Sequence, residues 1–381
     1  MSQNPLRELN KLGQSVWLDY IRRRDLLSGE MKRLIDEDGI SGVTSNPTIF
    51  EKAISGGDEY DSAITKLMEE GLSGPALFER LEVEDIQTAA DLFRATYDST
   101  NGQDGFVSIE VAPDLAHDTE GTISQVHRLW RSVNRPNIMV KIPGTKEGLP
   151  AIEQCLGEGI NINITLLFAQ ERYEEVAKAY VAALERRLRE GKPIDRVGSV
   201  ASFFVSRIDT LIDKQLEVRL HEANSDVERQ KIAALEGKVA IANAKAAYEK
   251  FKVIFSSDRF RVLAAKGARV QRVLWASTST KNPKYRDVLY AEELIGTNTV
   301  DTMPPATVSA FRDHGGVRPS LEEDVAGSHR VLQQLGEVGI SLRAATQQLE
   351  DEGVASFTRD FEKLLQALAE KHSALKTVAA H

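Results

Sequence analysis

The chain has 381 residues, 41% hydrophobic and 28% charged, with 57 acidic side chains against 48 basic ones and a formal net charge of -9. That length buries a large core, and the acidic balance excludes a nucleic-acid-binding surface while leaving room for a small basic pocket for a phosphorylated metabolite. One cysteine, Cys155, excludes an internal disulfide and fits a reducing cytoplasm.

The start, Met1-Ser2-Gln3-Asn4-Pro5-Leu6-Arg7-Glu8, carries no apolar leader segment, and no apolar run approaches the roughly 18 residues of a membrane span. A cytoplasmic protein with no membrane partner is expected. The seven histidines show no close-spaced pair and no cysteine partner, so no metal site is expected. There is no G-x-G-x-x-G and no Walker A sequence.

Short apolar runs predict strands at Val16–Tyr20, Gly42–Asn46, Val107–Val111, Ile138–Pro143, Asn161–Thr165, Val197–Phe204, Arg272–Ser277 and Thr299–Met303. Amphipathic helices lie between most of them, as at Glu147–Leu156 and Phe168–Arg189. Cys155 falls in the first of these helical patterns and reads as core packing. Eight strands alternating with helices predict an α/β protein, a (β/α)₈ barrel, with residues 1–381 forming one domain. Leu216–Phe251 is rich in helix formers and reads as a helical insertion between strands six and seven. Ser320–Ala379 reads as a helical tail that breaks at Gly353.

The fourth strand holds Lys141 in the apolar run Ile138-Met139-Val140-Lys141-Ile142-Pro143. A buried, unpaired ammonium tends to lose its proton, and a neutral amine is a nucleophile that forms Schiff bases. A lysine that snorkels from the strand end, or pairs with a carboxylate, is the other reading of the same run. Strand alternation places further polar side chains inside the barrel: Asp19 with Trp17, Thr44 with Asn46, Ser108 with Glu110, Asn161 with Asn163 and Thr165, and Ser202 with Phe204. Each lies toward the end of its strand, where barrel enzymes place their chemistry. Such a density of buried charge is costly without a functional reason.

Arg207 follows the sixth strand, and Ser277-Thr278-Ser279-Thr280-Lys281 follows the seventh, where barrels of this kind often hold phosphate. For Arg207 a surface ion pair with Asp209 or a neighbouring acid stays open as the structural reading, and a reading of the same kind stays open for Lys281.

These segments carry a resemblance. Gly42-Val43-Thr44-Ser45-Asn46-Pro47-Thr48-Ile49-Phe50, Val107-Ser108-Ile109-Glu110-Val111, Ile138-Met139-Val140-Lys141-Ile142-Pro143 and Gly159-Ile160-Asn161-Ile162-Asn163-Ile164-Thr165 resemble, in order, the signatures of the transaldolase family. The match runs from about residue 15 to 317, and the insertion and tail resemble a longer bacterial subgroup. The resemblance implies transfer of a dihydroxyacetone unit from sedoheptulose 7-phosphate to glyceraldehyde 3-phosphate, in the non-oxidative pentose phosphate pathway. It implies sugar-phosphate substrates and no cofactor, and it leaves a homo-oligomer open. By the same resemblance Lys141 forms the Schiff base, Asp19 is the general acid and base, and Glu110 and Thr165 hold a catalytic water. Asn46 and Asn163 bind donor hydroxyls, Ser202 holds the terminal hydroxyl, and Arg207 binds phosphate. Phe204 stands where aldolase-type relatives carry tyrosine, which favours transfer over release. The chain departs from the family pattern in three places. No second arginine follows strand seven, so Lys281 and Ser277 are the substitutes. Tyr20 follows Asp19 where many relatives have a smaller residue, which is expected to narrow the pocket. The insertion is the third. An aldolase that releases free dihydroxyacetone, and a silent sugar-phosphate-binding barrel, are the rival readings.

Overall fold

A computed structural model describes residues 4–379. Met1–Gln3 and the last two residues lie outside the described residues, and with them the first part of the leader reading. Among the described residues no helix is long and apolar enough to cross a membrane.

The eight expected strands form a closed barrel of parallel neighbours in chain order. They are β1 (Gln14–Asp19), β2 (Gly42–Thr44), β3 (Val107–Glu110), β4 (Ile138–Pro143), β5 (Ile162–Leu167), β6 (Ser199–Phe204), β7 (Arg272–Ala276) and β8 (Thr299–Met303). Helices cover the outer face and side chains fill the inner one, so nearly every strand residue is buried. This explains why the strands read as continuous apolar runs rather than alternating ones. The register sets Glu110 beside Lys141 and Lys141 beside Asn163, a line of three functional groups across β3, β4 and β5. Asp19 pairs in register with Thr44.

The floor of the barrel is built around Trp17, which is fully buried and donates its Nε1–H to Asp104 at 2.7 Å. Its register partner is Gly42. A Cβ on Gly42 would stand 2.6 Å from the indole ring, so the glycine is there for close approach.

The helical additions are larger than expected. Between β2 and β3 run Pro47–Ser55, Asp61–Glu69, Gly74–Leu92 and Arg94–Ser99. Between β6 and β7 run Ser206–Glu222, Asp226–Ala233, Val239–Phe255 and Asp258–Ala264. The expected boundary at Leu216 falls inside the first of these last four helices, because Ile208, Ile212 and Leu216 continue one buried face at helical spacing.

The tail holds the main correction. It does not break at Gly353; a single helix runs Leu342–Ala379. Leu349, Gly353, Phe357, Leu364 and Leu368 line its buried face. A Cβ at Gly353 would come within 2.9 Å of Leu166 Cδ2 and 3.8 Å of an Arg207 nitrogen. Gly353 is therefore no breaker. It lets the helix lie directly on the C-terminal mouth of the barrel, at a helix-propensity cost of about 1 kcal/mol relative to alanine.

Gly42→Ala should overpack the floor against a rigid, fully enclosed ring and lower stability by roughly 1–3 kcal/mol. Denaturant unfolding of the variant beside the wild type checks this.

Candidate active site

At the mouth, Lys141 is 5% exposed, and its Nζ donates to the Ser45 carbonyl at 3.1 Å and to Glu110 Oε2 at 3.2 Å. The lysine is thus buried and paired with a carboxylate, not an isolated amine. The Phe357 ring from the C-terminal helix lies 5.8 Å from Nζ and closes the site from above. Burial raises the Glu110 carboxyl above its ordinary range; Lys141 opposes the rise and Asp19 adds to it. Glu110 Oε1 is buried with no hydrogen-bond partner among the described residues.

Asp19 ends β1 and accepts a hydrogen bond from Thr44 Oγ1 at 2.7 Å. That hydroxyl also lies 2.7 Å from Thr302 Oγ1 on β8. The two threonines fix the carboxylate between strands. Its pKa is raised, burial being the largest cause, against lowering by Lys141, Thr44, Lys281 and Arg207.

Asn163 is fully buried; its amide donates to Ser108 Oγ at 3.0 Å and accepts from Ser202 Oγ at 2.7 Å. Three expected inward residues are thereby joined across β3, β5 and β6. Asn161 has a different task. Its amide donates to the carbonyls of Pro136 and Ile138 and accepts from the Gly198 N–H, fastening the entry ends of neighbouring strands. Thr165 is fully buried, and its Oγ1 has no partner among the described residues. Leu166, just after it, adopts φ +59°, and the β5–β6 register shifts there. A left-handed leucine is a strained element that re-aims the strand end. Asn46 caps the Pro47–Ser55 helix with its Oδ1, accepting from the Ile49 N–H at 3.1 Å, and its Nδ2 has no partner among the described residues.

Arg207 sits in the first turn of the Ser206–Glu222 helix, with its guanidinium 5.3 Å from the Phe204 ring centre. It makes no hydrogen bond or ion pair with any described residue. The alternative pair with Asp209 does not form: that carboxylate accepts from the Ala240 N–H at 2.7 Å and from the Tyr290 hydroxyl at 3.0 Å. Burial lowers the Arg207 pKa, and Asp360 and Asp19 partly restore it. Asp360, on the C-terminal helix, accepts from Thr48 Oγ1 at 2.7 Å. Lys281 is exposed and donates to Ser279 Oγ at 2.7 Å. Its pKa is lowered, first by burial of the amine and then by repulsion from Arg207, while Asp19 raises it. Ser277, at φ +58°, places its Oγ 3.0 Å from Ser206 Oγ. Behind this loop, Thr278 donates to Asp301 at 2.8 Å.

Two expectations are corrected. Tyr20 does not narrow the mouth; strand alternation turns it outward, into a surface recess with Met31, Leu34 and Val308. A histidine does have a cysteine neighbour: donor atoms of His127, Cys155 and Glu158 lie within 4.8 Å of one another. Sequence spacing missed it because the residues come from two adjacent helices, Thr119–Val133 and Gly148–Glu158. Cys155 is nonetheless fully buried, its thiol pushed up to about 12 by burial, and His127 is already bonded to Glu158. Several positions that contact the site were not anticipated: Thr302, the Ser45 carbonyl, Phe357 and Asp360. Only Thr302 had a readable signal, its inward parity in the eighth strand.

A parallel eight-stranded barrel with a buried lysine, two carboxyls of raised pKa and an unpaired arginine at its C-terminal mouth has the make-up of a barrel enzyme acting on an anionic substrate. Residues 16–368 match the family model described as transaldolase/fructose-6-phosphate aldolase. The chain is 48% identical over 381 residues to transaldolase 2 of Nostoc punctiforme, covering 99% of this chain and 100% of that protein. It is 46% identical over 380 residues to the transaldolase of Trichodesmium erythraeum, with 99% and 100% covered. It is 47% identical over 367 residues to that of Saccharopolyspora erythraea, with 96% and 97% covered. The chain belongs to the transaldolase/fructose-6-phosphate aldolase family.

Asp301 supplies a pH test. Burial raises its pKa from 3.8 to about 7, and its Oδ2 has no partner among the described residues. The unfolded chain releases this proton first, so the group's stabilising contribution is present below about pH 4 and is lost as pH rises toward about 7. Asp301→Asn should therefore gain stability relative to the wild type as pH is raised across that window. Denaturation midpoints at several pH values check the difference; a gain confined to the acid end would contradict it.

Proposed function

We propose that this protein is a transaldolase whose residues 1–381 work as one domain, with Lys141 as the Schiff-base residue. The observation that carries the reading is the set around Lys141: Glu110 at 3.2 Å and a buried Asp19 carboxyl on which the lysine acts electrostatically. The names borne by the relatives agree with it.

In this reading Lys141, with its proton transferred within the set, attacks the ketose carbonyl to give a carbinolamine. Glu110 Oε1 and Thr165 Oγ1 are the two unpaired buried oxygens suited to bridge the water expelled next. The protonated imine then acts as an electron sink. Asp19 takes the proton from the sugar hydroxyl, the carbon–carbon bond breaks, and the aldehyde leaves while a three-carbon enamine stays on the lysine. An acceptor aldehyde is attacked by that enamine, and Asp19 returns its proton. A raised pKa suits a group that must both take and give a proton. The donor is sedoheptulose 7-phosphate and the acceptor glyceraldehyde 3-phosphate, giving erythrose 4-phosphate and fructose 6-phosphate. Asn46, Asn163 and Ser202 take the sugar hydroxyls. Arg207 takes the phosphate by its fork, with Lys281 as a point charge and Ser277 as a donor. Phe204 presents a ring without a hydroxyl beside the reacting carbons, so water is not positioned to release the fragment. No cofactor is needed for this chemistry.

Borohydride added with fructose 6-phosphate should fix a three-carbon adduct on Lys141, located by peptide mass. Asp19→Ala should still form the imine but turn over about 10²-fold or more slowly; undiminished turnover removes Asp19 from the mechanism. Arg207→Ala should raise the Michaelis constant for phosphorylated sugars by about tenfold or more, the loss of a charge-assisted hydrogen bond. Lys281→Ala should act the same way more weakly, and an unchanged constant refutes its phosphate role.

A further inference from the structure

A cleft beside the C-terminal helix reaches Glu110. The Gly74–Leu92 helix, the end of β3, the Thr119–Val133 helix and Phe361 of the C-terminal helix enclose about 690 Å³. Its buried wall includes Glu110 and Glu82, and its exposed rim includes Ser124 and Arg128. Glu82 lies on the buried face of its helix, beside Phe78, Leu81 and Ile86, and is 5% exposed. Its carboxyl has no hydrogen bond or ion pair with any described residue.

The charges around it leave Glu82 without a counter-ion. Glu79, on the same helix, is held by a forked bond from Arg128 at 2.9 and 2.8 Å. Asp85 is held by Arg23 and Tyr60 at 2.6 and 2.7 Å. Lys141 already bonds Glu110, and Asp114 on the cleft wall is another acid. Burial, then repulsion from Glu110, holds the Glu82 carboxyl well above its ordinary range. Two buried carboxyls facing one cleft, with one ammonium already bonded to Glu110, favour keeping a proton on one of them.

We propose that Glu82 is a proton store for Glu110, a positioning residue that acts through Glu110 and exchanges protons with solvent by this cleft. This rests on the Schiff-base reading above. As the carbinolamine collapses, its C–O bond breaks and the nitrogen lone pair forms the C=N bond. The hydroxyl leaves as water with a proton from Glu110. Glu82 then passes its proton through cleft water to Glu110 and is re-protonated from solvent. Hydrolysis of the imine reverses each step, Glu110 taking the proton of the added water.

The test follows the rate at which fructose 6-phosphate gives the borohydride-fixed Lys141 adduct, across pH, in the wild type, Glu82→Gln, Glu82→Asp and Ser124→Trp. Glutamine keeps the shape but holds no exchangeable acid proton. Adduct formation in Glu82→Gln should slow about tenfold or more, the low side of general acid–base effects, and lose the pH dependence seen in the wild type. Glu82→Asp should recover part of both. Ser124→Trp, a surface change at the cleft rim, should slow adduct formation without altering the final amount. Wild-type rates and pH profile in Glu82→Gln overturn the proposal. Should that variant not fold, an unchanged rate in Ser124→Trp overturns it instead. A wild type that gives no Lys141 adduct at all removes the Schiff-base reading, and the role of Glu82 falls with it; a normal wild-type adduct with indifferent Glu82 variants removes only the latter.

Discussion

Around one buried ammonium, Lys141, the barrel gathers more negative groups than that charge can offset. Glu110 is bonded to it, Asp19 interacts with it, and Glu82 stands behind Glu110. A buried ion pair is held together only when its desolvation is offset by close geometry and further hydrogen bonds. Here the Ser45 carbonyl supplies one such bond to the lysine, and the Thr44–Thr302 pair fixes Asp19. The surplus carboxyls answer the remaining cost by rising in pKa, so the cluster can store protons as well as charge. In the proposed reaction that is the useful property, since each turnover moves protons at a carbinolamine, a sugar hydroxyl and an imine.

The same constraint explains the roof. The interactions within the cluster are strong only where bulk water is held off. The C-terminal helix does this with Phe357 over Lys141 and Gly353 seated on Leu166. It is anchored beyond the mouth, where Asp360 meets Thr48, Phe361 packs edge-on against Phe78 at 5.9 Å and Lys371 bonds the carbonyl of Ile54 at 2.9 Å. The anchors fall on two of the helices between β2 and β3. The long additions on that side of the barrel thus support the helix that closes the site.

Much of this was legible in the sequence because strand parity is a local rule. Apolar runs marked all eight strands, and the inward positions of Asp19, Glu110, Lys141, Asn163 and Ser202 followed from counting by two. The rule held as far as Thr165 and stops at Leu166, where the backbone turns left-handed and the β5–β6 register shifts. Asn161 had the right parity but the wrong end of its strand. Gly353 misled because glycine signals both a break and a close approach, and only the neighbouring Leu166, far away in sequence, distinguishes them. Phe357, Asp360 and Glu82 could not be placed at all, since helical faces meet the barrel through contacts that no local pattern encodes.

Arg207 shows the opposite economy to Lys141. Lys141, Glu110 and Asp19 each have a hydrogen-bonded partner, yet this guanidinium rests on Phe204 with no hydrogen bond to the described residues. Asp360 is near enough to stabilise its charge but is turned to Thr48. A forked donor left open beside a cluster of carboxyls must be supplied with an anion to recover its desolvation cost. In the proposed reaction, an Asp360 in that place would have to be displaced by phosphate. By engaging Asp360, with Lys363 at 3.5 Å on its other oxygen, Thr48 both anchors the C-terminal helix and holds that carboxylate off Arg207, which in the proposed reaction leaves the guanidinium open to phosphate.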